Sequence, residues 1–160
     1  MAEMHLHSLR VQMPDNVPVV LLKEVDGAGR TLPILIGHEE ASAIARALQG
    51  VEPPRPLTHD LMRDLLTTLG VDVDAVVVTA MVDAIFYAEL RLHRGEETFS
   101  VSSRPSDAIA LAVRLGTPIY VEDDLLDSEA YVLQEDEEQD EVIEQFQRFI
   151  EDVRPEDFAS

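Results

Sequence analysis

Residues 96–121 read EETFSVSSRPSDAIALAVRLGTPIYV, and this stretch decides the fold. Residues 98–102 have the composition of a strand. The run from 108 to 113 is apolar without interruption, and a helix that is apolar on all sides is buried on more than one side. Gly116 and then Pro118 end that helix. The stretch therefore predicts a strand, a buried helix and a second strand in close succession.

The start of this buried helix is polar. Ser103 and Ser106 are predicted to accept hydrogen bonds from the free N–H groups of the first turn, and Pro105 fits that turn. Asp107 places a carboxylate near the positive end of the helix dipole. With Arg104 beside it, the cluster has the groups that an anion or metal–phosphate site needs. The alternative is a structural one, in which a serine caps the helix and Arg104 pairs with Asp107.

Composition and charge restrict the class of protein. The chain has 160 residues, no cysteine and a formal net charge of −20, with 16 acids against 2 arginines in residues 122–160. Nucleic-acid affinity normally comes from Lys and Arg, so this charge argues against a high-affinity nucleic-acid binder. No apolar run has the length of a signal peptide or a membrane span. We expect a cytoplasmic protein with no membrane partner.

The chain before and after the linker at 51–57 shows the same order of elements. Alternating apolar residues predict strands at 5–13, 17–25 and 31–36 before a helix that Gly37 opens, and strands at 71–81, 85–93 and 98–102 before the buried helix. Pro33 suggests the edge or end of a strand. Shifting the sequence by 67 residues places Glu40 on Asp107. We predict an α+β fold with an antiparallel β-sheet and helices, built by internal duplication of a β-β-β-α unit.

A second helix is predicted to follow the linker, with Thr58 as its cap. Leucines at 61, 65, 66 and 69 lie on one side of it. His59 is a candidate general base, and Asp60 is a candidate metal ligand or orienting partner. The alternative is an ordinary first turn, where an acid is favourable. Neighbouring helical residues do not face each other, so His59 and Asp60 cannot form a dyad unaided.

The last quarter of the chain differs in character. Residues 122–140 are acidic and predicted to be mostly loop. Residues 141–153 regain helical period, which predicts a C-terminal acidic amphipathic helix that folds back on the core or packs on a partner chain. Its apolar stripe consists of Val142, Phe146, Phe149 and Val153, with Ile143 and Ile150 beside it. We divide the chain into a domain at 1–133 and an acidic helical extension at 134–160.

Three motifs in this order resemble the bifunctional nuclease family. They are LPILIGHEEA at 32–41, RPLTHDL at 55–61 and RPSDAIALA at 104–112, of which the last is the most specific. The similarity covers roughly residues 5–133, so the first domain resembles a bifunctional nuclease domain. The resemblance implies an α+β fold and an oligomeric protein. It also implies activity on RNA and DNA, because the family takes its name from plant members with both activities. It supplies no settled catalytic set.

Two functions are therefore considered. In the first, the chain is a metal-dependent nuclease that hydrolyses phosphodiesters of RNA or single-stranded DNA, and it binds this substrate weakly. Its candidate catalytic residues are His59, Arg104, Ser106 and Asp107, and its candidate ligands for Mg²⁺ or Mn²⁺ are Asp60, Asp107 and Glu40. In the second, the chain is a non-enzymatic, homo-oligomeric regulatory module, with a dimer favoured, whose acidic tail binds a protein partner.

Overall fold

The computed structural model describes residues 1–134, which form one eight-stranded sheet and four helices. The strands are β1 (Ala2–Gln12), β2 (Val17–Glu24), β3 (Arg30–Leu35), β4 (Asp72–Val82), β5 (Ile85–Arg94), β6 (Glu97–Ser103), β7 (Ile119–Val121) and β8 (Tyr131–Val132). The helices are α1 (His38–Leu48), α2 (Thr58–Thr68), α3 (Pro105–Leu115) and α4 (Asp123–Glu129). The strand order is β6-β5-β4-β7-β1-β2-β3-β8, and only β4 and β7 pair in parallel. The α+β class with a mainly antiparallel sheet is confirmed.

The two predicted β-β-β-α units are both present, and β7 joins them by pairing with β1 and β4. The helices α1 and α3 begin at His38 and Pro105, 67 residues apart, and each has 11 residues. The pairing register shifts after Leu6 in β1 and after Val73 in β4, which are again 67 residues apart. The recurrence of both features supports the duplication that the sequence predicted.

Helix α3 lies at the centre of the helical layer. It contacts α1 and α2 on its flanks and β4 and β5 below it, and residues 108–112 are buried. The left-handed conformation of Gly116, with φ at 69°, ends the helix as predicted. The predicted serine caps are wrong: Arg104 occupies the capping position without a side-chain cap, and Ser103 Oγ donates to the Arg104 carbonyl at 2.8 Å.

Helix α2 differs from its prediction in two ways. Thr58 is its first helical residue rather than its cap, and the Asp60 carboxylate accepts the Leu57 N–H at 3.1 Å. Met62 and Leu66 pack against the core, whereas the leucines at 61, 65 and 69 are about half exposed. One of the four leucines, Leu66, therefore contacts the core, because α2 packs on α3 beside Met62 and Leu66.

The segment after Val121 is not mostly loop within the described residues. Helix α4 buries Leu125 and Leu126 in the core, and β8 pairs with the first two residues of β3. Pro33 lies beyond that short pairing, which agrees with its predicted place at an edge. The predicted helix at 141–153 lies outside the described residues. No helix within residues 1–134 is long and apolar enough to cross a membrane.

Candidate functional site

The first turns of α2 and α3 meet through a histidine–aspartate pair. His59 Nε2 lies 2.8 Å from Asp107 Oδ1. The His59 side chain is 10% exposed and the Asp107 side chain is 25% exposed. The packing of α2 against α3 brings the two polar motifs into one site, although 48 residues separate them in the chain.

Arg104 extends this pair to α1. Its Nε donates to Asp107 Oδ2 at 2.8 Å, and its Nη2 donates to Glu40 Oε1 at 2.9 Å. The guanidinium side chain is 66% exposed, so it presents a positive charge at the surface of the site. The structure thus brings together four of the predicted site residues: Glu40, His59, Arg104 and Asp107.

The electrostatics of Asp107 determine which nitrogen of His59 carries a proton. Burial by itself would raise the pKa of Asp107, but hydrogen bonds from His59 and Arg104 and the charge of Arg104 hold that pKa below its ordinary value of 3.8. The ionised carboxylate accepts hydrogen bonds only. His59 Nε2 therefore carries the proton that points at Asp107, and in the neutral imidazole Nδ1 has the free lone pair.

Asp60 faces a different set of partners. Its Oδ1 accepts from Arg114 Nε at 2.8 Å, and its Oδ2 accepts the Leu57 N–H. Arg114 also donates to the carbonyls of Ala110 and Ala43 at 2.8 and 3.0 Å, so this pair connects α1, α2 and α3. Both side chains are less than 10% exposed. Their contacts are those of a buried ion pair that fixes the helices.

Ser106 lines a different part of the structure from the His59–Asp107 pair. It is 6% exposed and lines a cleft of about 1040 Å³ together with Arg104, whereas neither His59 nor Asp107 lines that cleft. Its catalytic role stays a prediction. Sequence reasoning missed Arg114, whose signal was an arginine directly after an unbroken apolar helical run.

The predicted metal ligands do not form a metal site as they are arranged. Asp107 uses one oxygen on His59 and the other on Arg104, Glu40 bonds to Arg104, and Asp60 bonds to Arg114. In residues 1–134 no group of three or more His, Cys, Asp or Glu side chains is placed to hold a metal ion. Dependence on Mg²⁺ or Mn²⁺ stays a prediction, and no step below is assigned to a metal.

The described chain is a small, mainly antiparallel α+β domain. Its polar site consists of a histidine, an aspartate and an arginine where helix starts converge. The model of the bifunctional nuclease domain matches residues 20–134. This chain belongs to the bifunctional nuclease domain family.

Two groups of relatives support this assignment. The chain is 45% identical over 168 residues to Uncharacterized protein Rv1829 of Mycobacterium tuberculosis, a match that covers 100% of this chain and 99% of that protein. It is 35% identical to Bifunctional nuclease 2 of Arabidopsis thaliana and 32% identical to Bifunctional nuclease 1 of Oryza sativa subsp. indica. These plant matches cover 68% and 69% of this chain and 35% of each plant protein. The chain thus corresponds to about a third of the plant proteins' length.

Proposed function

We propose that this chain hydrolyses phosphodiester bonds in RNA or single-stranded DNA, with His59 as the general base. The observation that carries the proposal is the 2.8 Å contact between His59 Nε2 and Asp107 Oδ1. An aspartate that holds one ring nitrogen orients the imidazole and leaves the other nitrogen able to accept a proton. Membership of a family whose plant members are named nucleases supports a nuclease-like function.

Each residue has a separate part in this proposal. Neutral His59 accepts a proton at Nδ1 from the attacking water, or from the 2′-hydroxyl of RNA. The oxygen that loses this proton bonds to phosphorus, the P–O bond to the leaving oxygen breaks, and the leaving oxygen takes a proton from water. Asp107 stabilises the imidazolium that forms, because its carboxylate is ionised at neutral pH. Arg104 binds carboxylates through Nε and Nη2, and its Nη1 bonds to no carboxylate among the described residues. That amino group is the donor we assign to a phosphate oxygen.

The test is hydrolysis of matched single-stranded RNA and DNA oligonucleotides by the purified full chain, with Mg²⁺, with Mn²⁺ and with a chelator. We expect His59→Ala and Asp107→Asn each to lower the rate by about 10²- to 10⁴-fold, which is the range for a positioned general base. The matched control is His38→Ala, which removes an exposed histidine from the first turn of α1. Equal rates in all four proteins would mean that the activity does not belong to this site.

The second candidate is a non-enzymatic, homodimeric module that binds a protein partner through its acidic tail. The observation that favours it is an exposed apolar stripe on α2, in which Leu61, Leu65 and Leu69 are 49%, 53% and 62% exposed. A stripe of this kind is typical of a contact surface. Sedimentation of the full chain beside Leu65→Ser tests it: a dimer that the substitution dissociates would support the module, and a monomeric full chain would exclude the dimer.

A further inference from the structure

An apolar surface near the site lies in the cleft that Ser106 lines. It lies at one end of the sheet, between the end of β1, the end of β3 and the turn that joins β4 to β5. Three of its apolar side chains are largely exposed: Met13 at 70%, Leu35 at 62% and Ile85 at 57%. Exposed apolar surface of this concentration indicates a binding site.

The cleft continues onto the face of the sheet that is opposite the helices. Val20 and Leu22 point into the core with the helices, so the alternating residues Val19 and Leu21 point to the other face, where they line the cleft. In residues 1–134, all four helices contribute to the core on the first face. No described helix covers the second face. Leu21, which points to that face, is nevertheless buried, with 2% of its surface exposed.

One basic side chain of the cleft has buried nitrogen atoms with no hydrogen-bond partner among the described residues. Arg10 lines the cleft, and its Nε and Nη2 are buried without a hydrogen-bond partner. A buried guanidinium without an acceptor is costly, so a ligand with carboxylates is favoured over a neutral one.

The described chain ends beside this cleft. Tyr131 in β8 lines the cleft, and Gln134, three residues later, is the last residue that the structure describes. Val142 lies eight positions after Gln134 in the chain, and an extended chain of eight residues reaches about 26–29 Å. Residues 135–160 contain 11 acids against 2 arginines, with the apolar stripe predicted for 141–153 among them. This segment has the chemistry that the cleft requires, apolar side chains beside carboxylates, and it begins within reach.

We propose that residues 141–153 of the same chain bind in this cleft. In this proposal, Phe146 and Phe149 contact the apolar walls at Leu35 and Met13, and the acidic side faces the guanidinium of Arg10. Intramolecular binding is favoured because the short connection gives the segment a high effective concentration at the cleft. The inference stands on the cleft and the sequence alone, and it does not depend on nuclease activity.

The test uses the absence of cysteine, which allows one spin label to be placed at a chosen position of the full chain. A nitroxide on Ile85→Cys, a position 57% exposed that lines the cleft and has no assigned contact with the segment, should broaden the amide resonances of residues 141–153 in an NMR spectrum. The matched control is a nitroxide on Leu61→Cys, a half-exposed leucine on α2 outside the cleft, which should leave those resonances sharp. Absence of broadening from the cleft label would overturn the proposal.

A mixed sample separates this proposal from binding by a second copy. Isotope-labelled chain without a nitroxide is combined with unlabelled chain that carries the nitroxide at Ile85→Cys. Broadening that persists in this mixture would come from another molecule and would overturn the intramolecular proposal. We expect none, and we expect Phe146→Ser with Phe149→Ser to abolish the broadening within one chain. The control pair Gln145→Ser and Gln147→Ser should retain it.

Discussion

Glu40 and Asp107 occupy the same position in two helices that begin 67 residues apart, and one guanidinium holds both carboxylates. The third residue of α1 and the third residue of α3 bind Arg104 at 2.9 and 2.8 Å. Two copies of one structural unit thus contribute equivalent carboxylates to a single site. The arginine comes from the second copy alone, since the position equivalent to Arg104 in the first copy is Gly37.

Gly37 gives a direct way to disturb this arrangement. Its backbone angles, φ −77° and ψ 160°, suit any residue, but an added Cβ would collide with Glu40 Oε2. We expect Gly37→Ala to move the Glu40 carboxylate away from Arg104 and to change the free energy of unfolding by less than about 1 kcal/mol, because exposed ion pairs contribute little. Side-chain ¹⁵N relaxation should report a more mobile Arg104 Nε. Glu40→Gln is the matched variant, and an unchanged Arg104 signal in both would contradict the contact.

The ion pair between Asp60 and Arg114 should be the largest single electrostatic contribution to stability. Replacing Arg114 with Met leaves a buried carboxylate unpaired and two carbonyls without their donor, so we expect a loss of about 3–5 kcal/mol in urea unfolding. Arg63→Met is the control, because the Arg63 and Asp64 side chains are 32% and 47% exposed and their pair should contribute about 0–1 kcal/mol. Similar losses in the two variants would show that burial does not strengthen the pair.

The same pair makes stability fall in acid. Burial would raise the pKa of Asp60, but hydrogen bonds from Arg114 and the Leu57 amide hold that pKa below its ordinary value of 3.8. Protons therefore bind the unfolded chain more readily, so this contribution is present above pH 3.8 and is lost as pH falls through the folded pKa. Unfolding free energy measured between about pH 7 and pH 3 should decline for the native chain. Asp60→Asn should begin lower and decline less, and parallel curves would argue against the pair as the cause.

The spacing of residues along the chain is sufficient to predict the burial of some helices and not of others. The unbroken apolar run at 108–112 can only be stable when it is covered on several sides, so the central position of α3 follows from the sequence. Helix α2 shows the opposite case: of the four leucines on its apolar side, Leu66 packs against the core beside Met62, whereas those at 61, 65 and 69 are about half exposed. Which side of an amphipathic helix is covered depends on its neighbour.

The sequence by itself determined the elements from β1 to β7, their order, the 67-residue repeat and the polar character of both helix starts, because each depends on residues close together in the chain. Only the tertiary structure decided the partners of those polar groups. His59 pairs with Asp107 across 48 residues, while the adjacent Asp60 pairs with Arg114 across 54. Neighbouring helical side chains point about 100° apart, so each meets whatever helix lies on its own side. The choice of partner is made when α1, α2 and α3 pack together.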